Sequence, residues 1–123
     1  MLEGGQPDKP AILVLSGGVD AVEREVLAGI EEEGVPYVVE MPTGEDAHTH
    51  AHELALRAAG RSSLSVGVGI DDCGRVCVQH QKLADRLPGL FSPDAADRGL
   101  ARALGHNAAR IVVGIPLRTE EAS

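Results

Sequence analysis

The chain has 123 residues, room for one compact core at the usual domain size of about 100 to 200 residues and not for two. With no Trp, one Tyr and one Phe, that core is aliphatic, built from Ala, Val, Ile and Leu. Eleven Lys and Arg against nineteen Asp and Glu leave a formal charge of -8 with no segregated basic patch, which argues against nucleic acid or an anionic membrane as partner.

Residues 1–10 are polar, rich in Gly and Pro, and carry no apolar run long enough for a signal peptide or a membrane span, so they read as a flexible N-terminus of a cytoplasmic protein. Ala11 to Ser16 (AILVLS) is an unbroken apolar run ending at Gly17 and Gly18, the pattern of a central strand buried on both faces. Asp20 and Glu23 have the spacing of an N-cap and its partner, and Val22, Val26, Leu27 and Ile30 continue as a helical stripe. The helix is expected to reach Glu33 and stop at Gly34. Pro36 leads into Tyr37 to Met41, a second strand, and strand, helix, strand predicts a parallel crossover, right-handed by default.

Glu45 to Ala59 is expected to form a second helix, with Ala51, Leu54, Ala55 and Ala58 inward and Gly60 ending it. Ser65 to Ile70 reads as a third strand whose Gly67 and Gly69 leave one face free for close helix packing. The turn Asp71 to Gly74 is too short for a crossover, so the strand around Val76 and Val78 is expected to be antiparallel. Residues 82–93 are irregular, with Leu87, Leu90 and Phe91 as anchors. Asp94 to Val113 is the expected last helix, capped by Asp94, with Leu100, Ala103, Leu104, Ala108 and Ile111 inward. Ile115 to Leu117 is a candidate edge strand. The fold class is therefore α/β, a three-layer sandwich around a mixed, mostly parallel sheet of four to five strands, one antiparallel. Residues 11–117 form its one domain and residues 118–123 a tail.

Four groups of residues invite a chemical reading. The Ser16-Gly17-Gly18 turn sits where nucleotide-binding folds hold phosphate, but it lacks both the third glycine and the lysine of the known loops, so a plain turn is preferred. His48 and His52 have the spacing that lets two imidazoles on a helix share a metal, with no obvious third ligand; an exposed polar face is the simpler account. Cys77 and His80 lie three apart on a strand and point to opposite faces, so they do not form a nucleophile and base pair, and His106 lies further on. Cys73 and Cys77 are read as free thiols. Glu31, Glu32 and Glu33 crowd the negative end of the first helix, which costs stability and suits a cation or a basic partner.

Glu25 to Tyr37 (EVLAGIEEEGVPY), His80 to Leu83 (HQKL), Leu87 to Phe91 (LPGLF) and Gly105 to Leu117 (GHNAARIVVGIPL) together resemble the small subunit of the diol and glycerol dehydratase reactivating factors, over most of the chain. The GIEEEG and NAAR segments are also shared with the medium subunit of the coenzyme B12-dependent dehydratases; the short lead before the first strand and the ending GIPLR favour the reactivase. The resemblance implies a three-layer α/β domain with one antiparallel strand and no chemistry of its own. It implies a large Hsp70-like ATPase partner from which this subunit is displaced by the dehydratase medium subunit, so that damaged cobalamin escapes.

By the same resemblance Glu32 matches the position that reaches a magnesium ion at the interface with the large subunit, with Glu31 and Glu33 beside it. Asn107, Ala108, Ala109 and Arg110 match NAAR, with Asn107 and Arg110 as contact residues. No cofactor is expected in the isolated chain, and self-association is the corollary of leaving its docking surface bare. The setting expected is the cytoplasm, with association with a bacterial microcompartment as its variant. The departures are a longer stretch between His80 and Phe91 and the His-rich second helix. Two other readings follow: a stand-alone or truncated dehydratase medium subunit that helps hold cobalamin, and a small metalloenzyme built on His48 and His52.

Overall fold

The computed structural model describes residues 10–44, 47–82 and 90–114. In chain order these form β1 (Ile12–Ser16), α1 (Asp20–Glu32), β2 (Tyr37–Glu40), α2 (Ala51–Arg61), β3 (Val66–Ile70), β4 (Val76–His80) and α3 (Arg98–Val113). The sheet order is β2-β1-β3-β4. β1 pairs in parallel with β2 and β3, and the β3–β4 hairpin is antiparallel, as the short turn requires.

Side chains alternate along each strand, so β1 is apolar on both sides for two different partners. Ile12 and Val14 join Val22, Val26 and Ile30 of α1 and Leu104 and Ala108 of α3 in the larger core. Leu13 and Leu15 pack instead on Leu54 and Ala58 of α2. The result is three layers, with α1 and α3 on one side of the sheet and α2 on the other. Gly67 and Gly69 allow the α2 side to close: a Cβ on Gly67 would run into Ala58 and Ala59, and one on Gly69 into Ala51 and Ala55. The outer edge of β4 is covered by residues 90–92, where Leu90 O accepts from Val78 N at 2.7 Å and Ser92 N donates to Val76 O at 2.8 Å. Leu90 is buried and Phe91 packs on Ala51, Ala55 and Cys77, so both act as anchors. Leu87 and Ile115 to Leu117 lie outside the described residues, as do residues 1–9 and 118–123.

Helix starts differ from expectation in each case. α1 is N-capped by Val19 with no side-chain bond; Asp20 is already helical, and Glu23 Oε1 instead accepts from Ser16 Oγ at 2.6 Å. Both acids still face the positive end of the helix dipole. α2 begins at Ala51 rather than Glu45, because its inward apolar stripe begins there and packing, not propensity, pays for helix. It also runs through Gly60 to Arg61, whose guanidinium holds Glu40 at 2.8 Å. α3 begins at Arg98: Asp97, not Asp94, caps it by accepting from Leu100 N at 2.8 Å. Ala96 fixes that choice, being buried and tied by its N–H to Gly74 O at 2.9 Å, which holds residues 94–97 off the helix axis.

Candidate functional site: the acidic end of α1 against α3

α1 and α3 touch at glycines. A Cβ on Gly29 would strike the Arg102 carbonyl and reach His106 N at 2.9 Å, while one on Gly105 would strike the Val26 carbonyl. This near-backbone contact aligns the basic positions of α3, four residues apart, with the acids of α1. Arg102 Nε donates to Glu25 Oε1 at 2.9 Å, and its Nη1 to Glu32 Oε2 at 2.7 Å. His106 lies between two carboxylates, with Nε2 2.7 Å from Glu32 Oε1 and Nδ1 2.7 Å from Glu33 Oε2. Arg110 Nε donates to Glu33 Oε2 at 2.9 Å. Glu31 stands apart from this ladder and accepts from the Tyr37 hydroxyl at 2.9 Å.

The electrostatics follow. Desolvation pushes the Glu32 carboxyl up, but the His106 hydrogen bond and the Arg102 charge outweigh it and hold it below the usual value. The His106 hydrogen bond, against a smaller desolvation and helped by Arg110, likewise lowers Glu33. The bond to Glu31 raises the Tyr37 phenol. Three acids at a helix C-terminus looked costly in isolation; α3 supplies the compensating charge that α1 lacks. Arg102 and His106 therefore join Arg110 as part of the site. The signal that would have found them is the stripe Arg102, His106, Arg110, each four residues from the next and so on one face.

The structure thus brings Glu32, Glu33 and Arg110 together, with Glu31 adjacent. Asn107 behaves differently: it is 1% exposed, turned inward beside Ala108 and Ala109, so it supports the helix packing from within. Glu32 keeps a side chain 51% exposed. Magnesium prefers six oxygen ligands. Glu32 offers one carboxylate, whose Oε2 accepts from Arg102 and whose Oε1 is engaged by His106 Nε2, and no third metal donor gathers around it among the described residues. It suits one ligand of an ion held mainly by another chain and does not make a magnesium site alone.

The other candidates separate. His48 lies in a turn before α2, with Nδ1 2.9 Å from Asp72 Oδ2, while His52 is in the first turn of α2. The expected helical pair does not form, because the helix that would align them starts after His48. In the Ser16-Gly17-Gly18 turn the donors are already engaged: Ser16 Oγ donates to Glu23 Oε1, Gly17 N to Ile70 O and Gly18 N to Ser16 Oγ. Cys77 is buried against α2, whereas His80 Nδ1 accepts from Lys82 N at 3.0 Å, and both cysteines are free thiols. No helix among the described residues is long and apolar enough to cross a membrane.

Comparison with known proteins fits this geometry. Residues 9–118 match the family described as dehydratase medium subunit. The propanediol dehydratase-reactivating factor small subunit of Citrobacter freundii is 38% identical over 89% of this chain and 90% of its own length. The diol dehydratase-reactivating factor small subunit of Klebsiella michiganensis is 37% identical over 93% and 88%. Among solved structures, a diol dehydratase-reactivating factor complexed with ADP and Mg2+ superposes with a TM-score of 0.72 at 35% identity, covering 91% of this chain and 100% of that one. A glycerol dehydratase reactivase does so with a TM-score of 0.76 at 27% identity, covering 92% and 98%. By sequence and by fold, the chain belongs to the dehydratase medium subunit family, in the branch of the small subunits of dehydratase-reactivating factors.

Proposed function

We propose that this chain is the non-catalytic small subunit of a diol or glycerol dehydratase reactivase. It docks on a large ATPase-like subunit through the acidic end of α1. Displacement by the dehydratase medium subunit then frees the large subunit to engage the dehydratase and release damaged cobalamin. The observation that carries this reading is the fixed acidic surface itself. Glu31 and Glu32 are exposed, and Glu32 and Glu33 are oriented by Arg102, His106 and Arg110 before any partner arrives. Preorganised carboxylates lose little side-chain freedom on docking, so more of the contact energy remains as affinity. In this reading Glu32 reaches a magnesium ion at the interface, whose remaining ligands come from the partner. Arg110 and Glu33 shape the rim, and Asn107 acts through helix packing.

A second reading, a dehydratase medium subunit that helps hold cobalamin, is favoured by the family match across residues 9–118. The two share one architecture because both are proposed to fit one surface on the large subunit. A cytoplasmic or microcompartment setting, and self-association of the isolated chain, belong to the same proposal. Tagged protein purified from its host, with bound chains identified by mass spectrometry, divides the readings. A large ATPase-like subunit supports the reactivase; catalytic dehydratase subunits with cobalamin and no ATPase overturn it.

A further inference from the structure

On the opposite side of the sheet from the α1 ladder, a cavity of about 250 Å³ lies between the start of α2, the end of β3, the start of β4 and residues 91–93. Two polar atoms of its lining residues have no hydrogen bond. Asp71, at the carboxyl end of β3, is 2% exposed; its Oδ1 accepts from Cys73 N and Arg75 N, both at 2.9 Å, but its Oδ2 is buried and accepts from nothing. The Nε2 of His52, in the first turn of α2, is likewise buried without a hydrogen bond. Buried polar atoms left unpaired are costly, and such exceptions in folded proteins ask for a ligand, an ion or a water. Two of them meet here at one cavity, beside the strand ends where open α/β sheets bind ligands.

The remaining lining sets the chemistry of the occupant. Arg75 Nη1 stands 3.8 Å from Asp71 Oδ2, too far for a hydrogen bond but near enough to balance its charge. A cation brought to Oδ2 would be repelled by that guanidinium, and an anion by Asp71 itself. A hydroxyl meets neither obstacle. It donates to Oδ2, and because it both donates and accepts it also satisfies His52 Nε2 in either tautomer. Ser92 Oγ accepts from Val76 N at 2.9 Å and keeps its own proton for a ligand oxygen. Ala51, Val76 and Phe91 add apolar wall for a short carbon chain. The volume falls below the about 300 to 1,000 Å³ of sites for drug-sized ligands, which limits that chain to a few carbons. No group of three metal donors that includes His52 gathers among the described residues, which argues against a metal ion.

We propose that this cavity binds a small neutral polyol, one hydroxyl donating to Asp71 Oδ2 and a second pairing with His52 Nε2. Arg75, its side chain 40% exposed, swings toward solvent to open Oδ2 to the ligand and keeps its charge at the mouth.

The test is an NMR titration of the full chain with glycerol and, separately, with methylammonium and acetate, read at the His52 ring nitrogens and the Ser92 amide. Glycerol should shift both signals saturably, and the two ions should not. Asp71→Asn retains an Oδ1 to hold the turn and puts an amide donor where Oδ2 stood, so glycerol affinity should fall at least about tenfold, the loss expected when a hydrogen bond to a charged group is removed. His52→Ala, in the first turn of α2, should weaken binding in the same direction and serves if Asp71→Asn fails to fold. Absence of a saturable response to glycerol would overturn the proposal, leaving water or a closed Asp71–Arg75 pair as what satisfies Oδ2. So would a response to methylammonium or acetate as strong as that to glycerol, or glycerol affinity unchanged in the folded variants.

Discussion

Glu33 Oε2 at the C-terminus of α1 lies 2.7 Å from the Nδ1 of His106 on α3, and this hydrogen bond joins two segments separated by 73 positions in sequence. It ties the acid end of α1 to the helix that the sequence places last. Because Glu33 and Glu32 are held below the ordinary carboxyl value of 4.5, the stability they lend is fully present above that value. It is lost as pH falls through the lowered folded values. Thermal melts taken down through this range should show a steep acid limb in the parent chain and a flatter one in Glu33→Gln. Superimposable acid limbs would show that the ladder adds nothing to folding.

The α1–α3 contact has no room for a side chain at Gly105. Gly105→Ala places a methyl against the Val26 carbonyl and should cost about 1 to 3 kcal/mol or more by denaturant titration. Gly60→Ala is the matched control: it lies inside α2 with nothing within 4 Å of the added Cβ, and should stabilise by about 0.4 to 1 kcal/mol. Equal effects at the two sites would contradict the packing described.

Tyr37 is the only tyrosine and there is no tryptophan, so its ionisation is read directly by ultraviolet absorbance. The hydrogen bond to Glu31 raises its folded value above the ordinary 10.0. The associated stability is present below the unfolded value and is lost as pH rises through the raised folded one. Glu31→Gln should bring the transition back toward the ordinary value; an unchanged transition would mean the bond does not form in solution.

Leu54 fills the α2 side of the sheet and is 1% exposed. Leu54→Ala should cost about 2 to 5 kcal/mol in denaturant titration. Met41, 71% exposed after the edge strand β2, should tolerate Ala within about 0.5 kcal/mol. A cost at Leu54 no larger than that at Met41 would place the α2 core elsewhere.

The layers were legible because they rest on local pattern. The unbroken run at β1, the glycines of β3 and the four-residue turn before β4 each have one structural meaning. Helix starts were not, because α2 and α3 each follow stretches that hold several plausible caps, and the choice between Asp94 and Asp97 depends on Ala96 reaching Gly74 across the fold. The site was half legible. Glu31, Glu32 and Glu33 are visible as a run, but what neutralises them comes from α3, and only a register between two helices reveals that Arg102 and His106 face them. The inward turn of Asn107 was hidden for the same reason, since four adjacent residues of one motif divide between interior and surface.

The most direct test is restoration of activity to an inactivated dehydratase. The purified large subunit with this chain is added together with ATP, Mg2+ and fresh cobalamin, and recovered diol turnover is compared with the same complex carrying Glu32→Ala. The account predicts recovery with the parent chain and at least about a tenfold loss with the variant, the size expected for a ligand or its support at a metal-bridged contact. Recovery that is equal with both chains, or that proceeds without this chain, would contradict docking through the acidic end of α1.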